Sequence, residues 1–243
     1  SQECRIDAIA QAWATISGLG DPERASQALE SVEEKLVRRE DGLIALLAPP
    51  FDRMEHDPGY IKGYVPGVRE NGGQYTHAAL WVVLAYLIRG DGDEGHTLLD
   101  VINPVSHALD RASALRYKVE PYAVAADVYA VDPHTGRGGW TWYTGSASWF
   151  HRVALRWLIG FRIVTRDGVQ VLTLDPCIPK RWPGFELVYR HGTASYRVQV
   201  ENPRSVNRGV ARLTLDGVDV PALEVPLADD GATHEVVVTM LGG

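Results

Sequence analysis

The chain has 243 residues, of which 45% are apolar and 23% charged, with a formal net charge of -7. That balance fits one large or two modest globular domains around a real core, and it excludes an extended nucleic-acid or anionic-membrane surface, which needs a basic field. Two cysteines, Cys4 and Cys177, lie far apart without metal-ligand spacing, so neither a disulfide framework nor a zinc site is expected and a reducing compartment fits best.

Residues 5 to 18 place Ile6, Ile9, Ala10, Trp13 and Ile16 on one helical face, ended by Gly18 and Gly20. Asp21 is expected to cap a second helix with Pro22 at its first position, and Ala25, Ala28, Leu29, Val32 and Leu36 give that helix a buried stripe. Periodicity is lost from 41 to 73. Residues 42 to 47 read as a short strand, and Pro49-Pro50, Pro58-Gly59 and Pro66-Gly67 punctuate a long loop of the kind a scaffold positions for function. The next helix, 76 to 88, is apolar nearly all round and so is expected to be enclosed, with 93 to 101 as its partner. After a weaker segment to Val119 the chain predicts a short helix over 123 to 129 and a glycine-rich loop over 133 to 139. A strong helix then opens at Thr144-Gly145-Ser146 and ends at Gly160. Paired helices with ligand-sized loops imply part of an α/α barrel or toroid.

From Phe161 the texture changes. Runs at 169 to 174, 185 to 189, 194 to 200, 211 to 215 and 235 to 240 alternate, separated by Asp167-Gly168, Asp216-Gly217 and Asp229-Asp230-Gly231, which predicts a small antiparallel β domain. The longest apolar run, 78 to 88, is too short to cross a bilayer, and no signal peptide opens the chain. Because it begins at Ser1 rather than Met, the chain is expected to be a piece of something longer.

The densest chemistry lies in residues 62 to 81, KGYVPGVRENGGQYTHAALW, which hold Tyr64, Tyr75, an Arg69-Glu70-Asn71 triplet and His77. An isolated histidine here reads first as a core or capping residue. It gains weight from a second element, Thr144-Gly145-Ser146, because a helix N-terminus with hydroxyls and unpaired N–H groups suits an anion. The plain alternative for that element is an ordinary Thr N-cap. Glu70, Glu120, Asp127 and Asp7 are candidate carboxylates for an acid/base pair in glycoside hydrolysis, although most single acids are solvated or capping. Seven tryptophans and ten tyrosines offer flat faces for sugar rings as well as core filling.

The segments ECRIDAIAQAW, PGYIKGYVPGVRENGGQYTHAALW, KVEPYAVAADVY, GRGGWTWYTGSASW and LDPCIPKRWPGFE together resemble the C-terminal part of glycoside hydrolase family 94, the inverting sugar phosphorylases. The likeness covers essentially the whole chain and is nearest to the version fused to cyclic β-1,2-glucan synthases. It implies an α+β multidomain fold: the second part of an (α/α)6 barrel over residues 1–160, then an antiparallel C-terminal β-sandwich over 161–243. It also implies phosphorolysis of β-1,2-glucan to glucose 1-phosphate, with chain-length control in cyclic glucan synthesis. No cofactor is implied; inorganic phosphate is the co-substrate and attacks the anomeric carbon while a carboxylic acid protonates the leaving oxygen.

Carried onto matching positions, the resemblance makes His77, Thr144 and Gly145 phosphate-binding and Tyr64, Arg69, Glu70 and Glu120 substrate-binding, with Lys replacing Arg69 in some related phosphorylases. The family's general acid, the Asp of a GDWND motif, and an Arg that helps hold phosphate are expected upstream. No catalytic residue is assigned within this chain. The implied partners are a β-glucan oligosaccharide, phosphate and the N-terminal remainder of the module, with a homodimer left open and no nucleic-acid or membrane contact. The implied location is the cytoplasm, or the soluble part of an inner-membrane bacterial protein. Two alternatives stand beside this: a glucan-binding or scaffolding segment without turnover, and a β-glucan hydrolase in which Glu70 or Glu120 activates water.

Overall fold

A computed structural model describes residues 2–53, 57–142 and 144–242. The chain divides into two units, Ser1–Arg89 with Thr97–His151, and Gly90–His96 with Arg152–Gly243.

Its first elements are β1 (Ile6–Asp7), α1 (Ala8–Ile16), α2 (Pro22–Lys35), β2 (Val37–Arg38), β3 (Leu43–Ile44) and β4 (Leu47–Ala48). These are followed by β5 (Gln74–Tyr75), α3 (Thr76–Ile88), α4 (Gly92–Val101), α5 (Arg111–Tyr117), β6 (Asp127–Val128) and α6 (Thr144–Val153). Side-chain caps set the first two helices: Asp7 accepts from the N–H groups of Ile9 and Ala10, and Asp21 from those of Glu23 and Arg24. Asp7 is therefore a cap, which corrects its reading as a catalytic candidate. α1 packs against α2 and α3, and α3 is buried on all sides through Ala78, Leu80, Val82, Val83, Leu84 and Leu87. A helix with no polar face can persist in water only when enclosed.

Two expectations in this unit change. The strand read over 42 to 47 is split, β3 pairing with β2 and β4 with β1, both antiparallel. The helix read over 123 to 129 does not form; β6 pairs antiparallel with β5, Gln74 opposite Val128 and Tyr75 opposite Asp127. A single helical turn is weakly favoured by itself, and here the backbone groups it would need are taken. Ala126 O accepts from Thr76 N at 2.9 Å, and Ala126 N donates to Trp140 O at 2.6 Å.

The helix begun by α6 widens into a π turn over Ala154–Leu158 and stops at Gly160, whose φ of 76° suits glycine. Strands β7 (Phe161–Arg166), β8 (Val169–Leu174), β9 (Gly184–His191), β10 (Ala194–Glu201), β11 (Val210–Leu215), β12 (Val218–Asp219), β13 (Glu224–Pro226) and β14 (Thr233–Met240) follow. They form a five-stranded sheet ordered β12-β11-β14-β10-β9 and a three-stranded sheet ordered β13-β8-β7. Asp167-Gly168 and Asp216-Gly217 have φ values of 48° and 83°, and of 51° and 81°. These mirror-image turns match the right-handed twist of the strands they join.

The all-antiparallel expectation fails at one pair: β10 and β14 run parallel, Val198 beside Val236. After β12 the chain crosses to β13 in the three-stranded sheet and returns as β14, so no hairpin dictates its direction. Leu172 and Leu174 of the small sheet share one core with Tyr196, Val198, Val200, Leu213, Val236 and Val238 of the large one.

Candidate functional site

The long loop before α3 is held by two buried amides. Asn71 accepts from Phe51 N at 2.7 Å and donates to Phe51 O at 2.8 Å and Tyr64 O at 2.9 Å. Gln74 accepts from Ile44 N and donates to Thr76 Oγ1, both at 3.0 Å. Asn71, read in sequence with Arg69 and Glu70, is thus a structural member of that triplet. Arg69 sits in the left-handed region at φ 50°. The turn behind it is tight, since a Cβ on Gly73 would lie 2.9 Å from Arg69 N and 3.0 Å from Arg69 O.

This framework presents Arg69 between two rings, its guanidinium carbon 5.5 Å from the centroid of Tyr64 and 5.4 Å from that of Trp140. Arg69 Nε lies 3.6 Å from Glu70 Oε2, and both side chains are only 19% exposed. Asp127, fully buried, accepts from Trp140 N at 3.0 Å. Burial raises its carboxyl pKa; the Trp140 N–H bond and the Arg69 charge oppose the rise, and the Glu70 charge adds to it. A Cβ at Gly139 would collide with this carboxylate, so the residue before Trp140 has to lack one. Glu70 Oε2 and Asp127 Oδ2 are buried acceptors without hydrogen-bond partners among the described residues. Glu120 takes no part in these contacts: its side chain is exposed and its carbonyl closes a turn with Ala123 N.

His77 lies in the first turn of α3, whose opening N–H is fixed by Ala126. Its ring is nearly parallel to Tyr75 at 6.4 Å and contacts Trp81 at 4.7 Å and Trp149 at 5.6 Å between centroids. Trp81 meets Trp13 and Trp149 edge-on. A Cβ placed on Gly145 would stand 3.9 Å from His77 Nδ1, so the opening of α6 faces this imidazole. Burial lowers the His77 pKa below its ordinary 6.5, leaving the ring neutral. His77 Nε2 and Trp81 Nε1 are both buried without a hydrogen-bond partner among the described residues. Orphan polar groups of this kind call for a ligand, a water or a strain argument. The Thr144 side chain lies outside the described residues.

Sequence reasoning missed Trp81, Trp149 and Trp140. The first two were detectable, standing four residues beyond His77 and Gly145 on the same helix faces. Trp140 is brought to Arg69 only by the pairing of residues distant in sequence.

The two groups of contacts are joined through the β5–β6 pair, with Tyr75 opposite Asp127 and stacked on His77. A charged pair between aromatic rings, beside an imidazole that faces a helix opening, suits a polyhydroxylated ligand and an oxyanion, the chemistry of a carbohydrate-active enzyme. Residues 1–160 match the glycosyl hydrolase 94 superfamily, catalytic domain, and the chain belongs to that family. It is 45% identical over 223 residues to the cyclic beta-(1,2)-glucan synthase NdvB of Rhizobium meliloti (strain 1021), covering 89% of this chain and 8% of that protein. It is 33% identical to the solabiose phosphorylase of Paenibacillus borealis, covering 98% of this chain and 30% of that protein. To the N,N'-diacetylchitobiose phosphorylase of Vibrio proteolyticus it is 31% identical, covering 98% and 29%. The chain thus spans less than a third of the length of each of these relatives.

Proposed function

We propose that this chain forms the phosphate- and acceptor-binding side of an inverting glycoside phosphorylase module acting on β-1,2-glucan. The observation that carries the reading is the meeting of His77 with Gly145, where the imidazole turns Nδ1 toward the opening of α6. There the imidazole N–H and the N–H groups of the helix's first turn hold phosphate oxygens, joined by the Thr144 hydroxyl. Phosphate is already anionic, so its attack on the anomeric carbon needs no general base. Tyr64, Arg69 and Glu70 orient the acceptor-side sugar, and Glu120 contributes from the loop that follows α5.

The chain holds no GDWND segment, and the acid that protonates the leaving oxygen belongs to the remainder of the module. In this reading residues 1–160 are the later part of an (α/α)6 barrel. Residues 161–243 are a β-sandwich, supported by the single core its two sheets share. A cytoplasmic location and association as a homodimer complete the reading. Similarity to NdvB supports the β-1,2 linkage, and similarity to the two phosphorylases supports phosphorolysis over hydrolysis.

Calorimetric titration of the chain with phosphate tests the site. Gly145 has no left-handed φ and room for a methyl 3.9 Å from His77 Nδ1, so Gly145→Ala should fold normally while weakening phosphate about tenfold, because the methyl occupies the space the anion needs between the helix opening and the imidazole. His77→Ala should likewise weaken phosphate more than glucan. Equal loss of both ligands with a lowered Tm would mark these residues as structural. In the complete polypeptide, phosphate-dependent release of glucose 1-phosphate is expected. Free glucose released equally fast without phosphate identifies a hydrolase, and binding without turnover identifies the scaffolding role.

A further inference from the structure

Trp140 combines a fixed backbone with a solvent-facing ring. Its N–H donates to Asp127 Oδ1 at 3.0 Å and its carbonyl accepts from Ala126 N at 2.6 Å, yet the residue is 57% exposed. Leaving a large ring in water forgoes the stabilisation that burying it would bring. The support beneath it is built: Asp127 is buried, Gly139 leaves the space its carboxylate occupies, and the β5–β6 register holds the strand. The ring is aimed at Arg69, whose guanidinium also lies over Tyr64 and beside Glu70.

A protein surface docking on an exposed indole favours apolar neighbours. The neighbours here are charged, and one of their acceptors, Glu70 Oε2, lacks a hydrogen-bond donor among the described residues. A ligand that offers O–H donors at its edge and a C–H face to a ring satisfies both demands, and a pyranose does so. We propose that Trp140 is a specificity-determining wall of the acceptor-side sugar site, its indole packing on the C–H face of a glucosyl unit whose hydroxyls meet Arg69 and Glu70. Asp127 is the positioning residue that holds Trp140 there through its amide. The inference rests on the reading of Tyr64, Arg69 and Glu70 as the sugar-facing group.

Linear β-1,2-linked gluco-oligosaccharides and inorganic phosphate, titrated separately into the chain, test it. Trp140→Ala should weaken the oligosaccharide about tenfold, in the range of one aromatic stacking contact, with phosphate affinity unchanged, and Trp140→Phe should restore most of the loss. Asp127→Ala, which removes the acceptor for Trp140 N–H, should weaken the oligosaccharide as well, and combined with Trp140→Ala it should add no further loss, because the two act through one contact. If Trp140→Ala binds the oligosaccharide as the parent does, or loses phosphate and sugar alike, the assignment is overturned. Additive losses in the double variant overturn the role of Asp127 alone. A parent chain that binds phosphate but no glucan overturns the sugar-side reading beneath both, a result distinct from any failure specific to Trp140.

Discussion

A buried imidazole is more stable uncharged, and His77 and His107 are both partly buried. His77 and His107 both have pKa values lowered from 6.5, first by desolvation. His107 stacks on Tyr117 at 4.5 Å; its lowering is opposed by a backbone hydrogen bond with Val101 and increased by the Arg116 charge. On acidification the unfolded chain takes up protons at these rings before the folded chain does. Stability should therefore fall as pH drops from about 6.5 toward the folded values, and level off below them. Thermal melts between about pH 8 and 5 should show a declining Tm, shallower in His77→Gln; an unchanged Tm would contradict the neutral buried rings. Adding phosphate should raise the His77 pKa, read by NMR titration, since an anion favours the charged ring.

At the scale of elements, the loop before α3 owes its shape to few groups. Asn71→Ala would leave Phe51 N, Phe51 O and Tyr64 O without their partner, a cost of about 2–4 kcal/mol by urea denaturation. It should also weaken glucan binding, because Tyr64 is tied to the same side chain. α3 was legible to the residue, Thr76–Ile88, because an unbroken apolar segment bounded by a polar loop and Arg89-Gly90 admits no other reading. The segment 123 to 129 was not legible: its alanines and valines accept helix or strand, and the choice was made by Thr76 and Trp140, which supply the backbone partners.

At the scale of the whole molecule, the β unit depends on a core that neither sheet completes alone. Leu172→Ala in β8 should cost about 2–5 kcal/mol and should speed amide exchange in β10 and β14 as well as in β7 and β8, since Leu172 lies in the core both sheets share. Exchange raised only in the small sheet would show that the sheets open independently. The positions of β8, β9, β10, β11 and β14 were readable from alternation and Asp-Gly turns, whereas β7, β12 and β13 were not among the runs read as strands. The parallel β10–β14 pair was not, because alternation records which face of a strand is buried and carries no record of its neighbour's direction.

Local pattern in the sequence by itself determined the helices α1 and α2 with the Asp21 cap of the second, the enclosed α3, the change to strands after Phe161 and the segments that carry His77, Gly145, Tyr64 and Arg69. Each follows from the spacing of apolar residues or from turn and cap chemistry within a few positions. Only the tertiary structure decided that Gly145 stands against His77, that Asn71 anchors a loop, and that Asp127 and Trp140 complete the surroundings of Arg69. These are meetings of residues far apart in the chain, created when backbone donors and acceptors left over by one segment are satisfied by another.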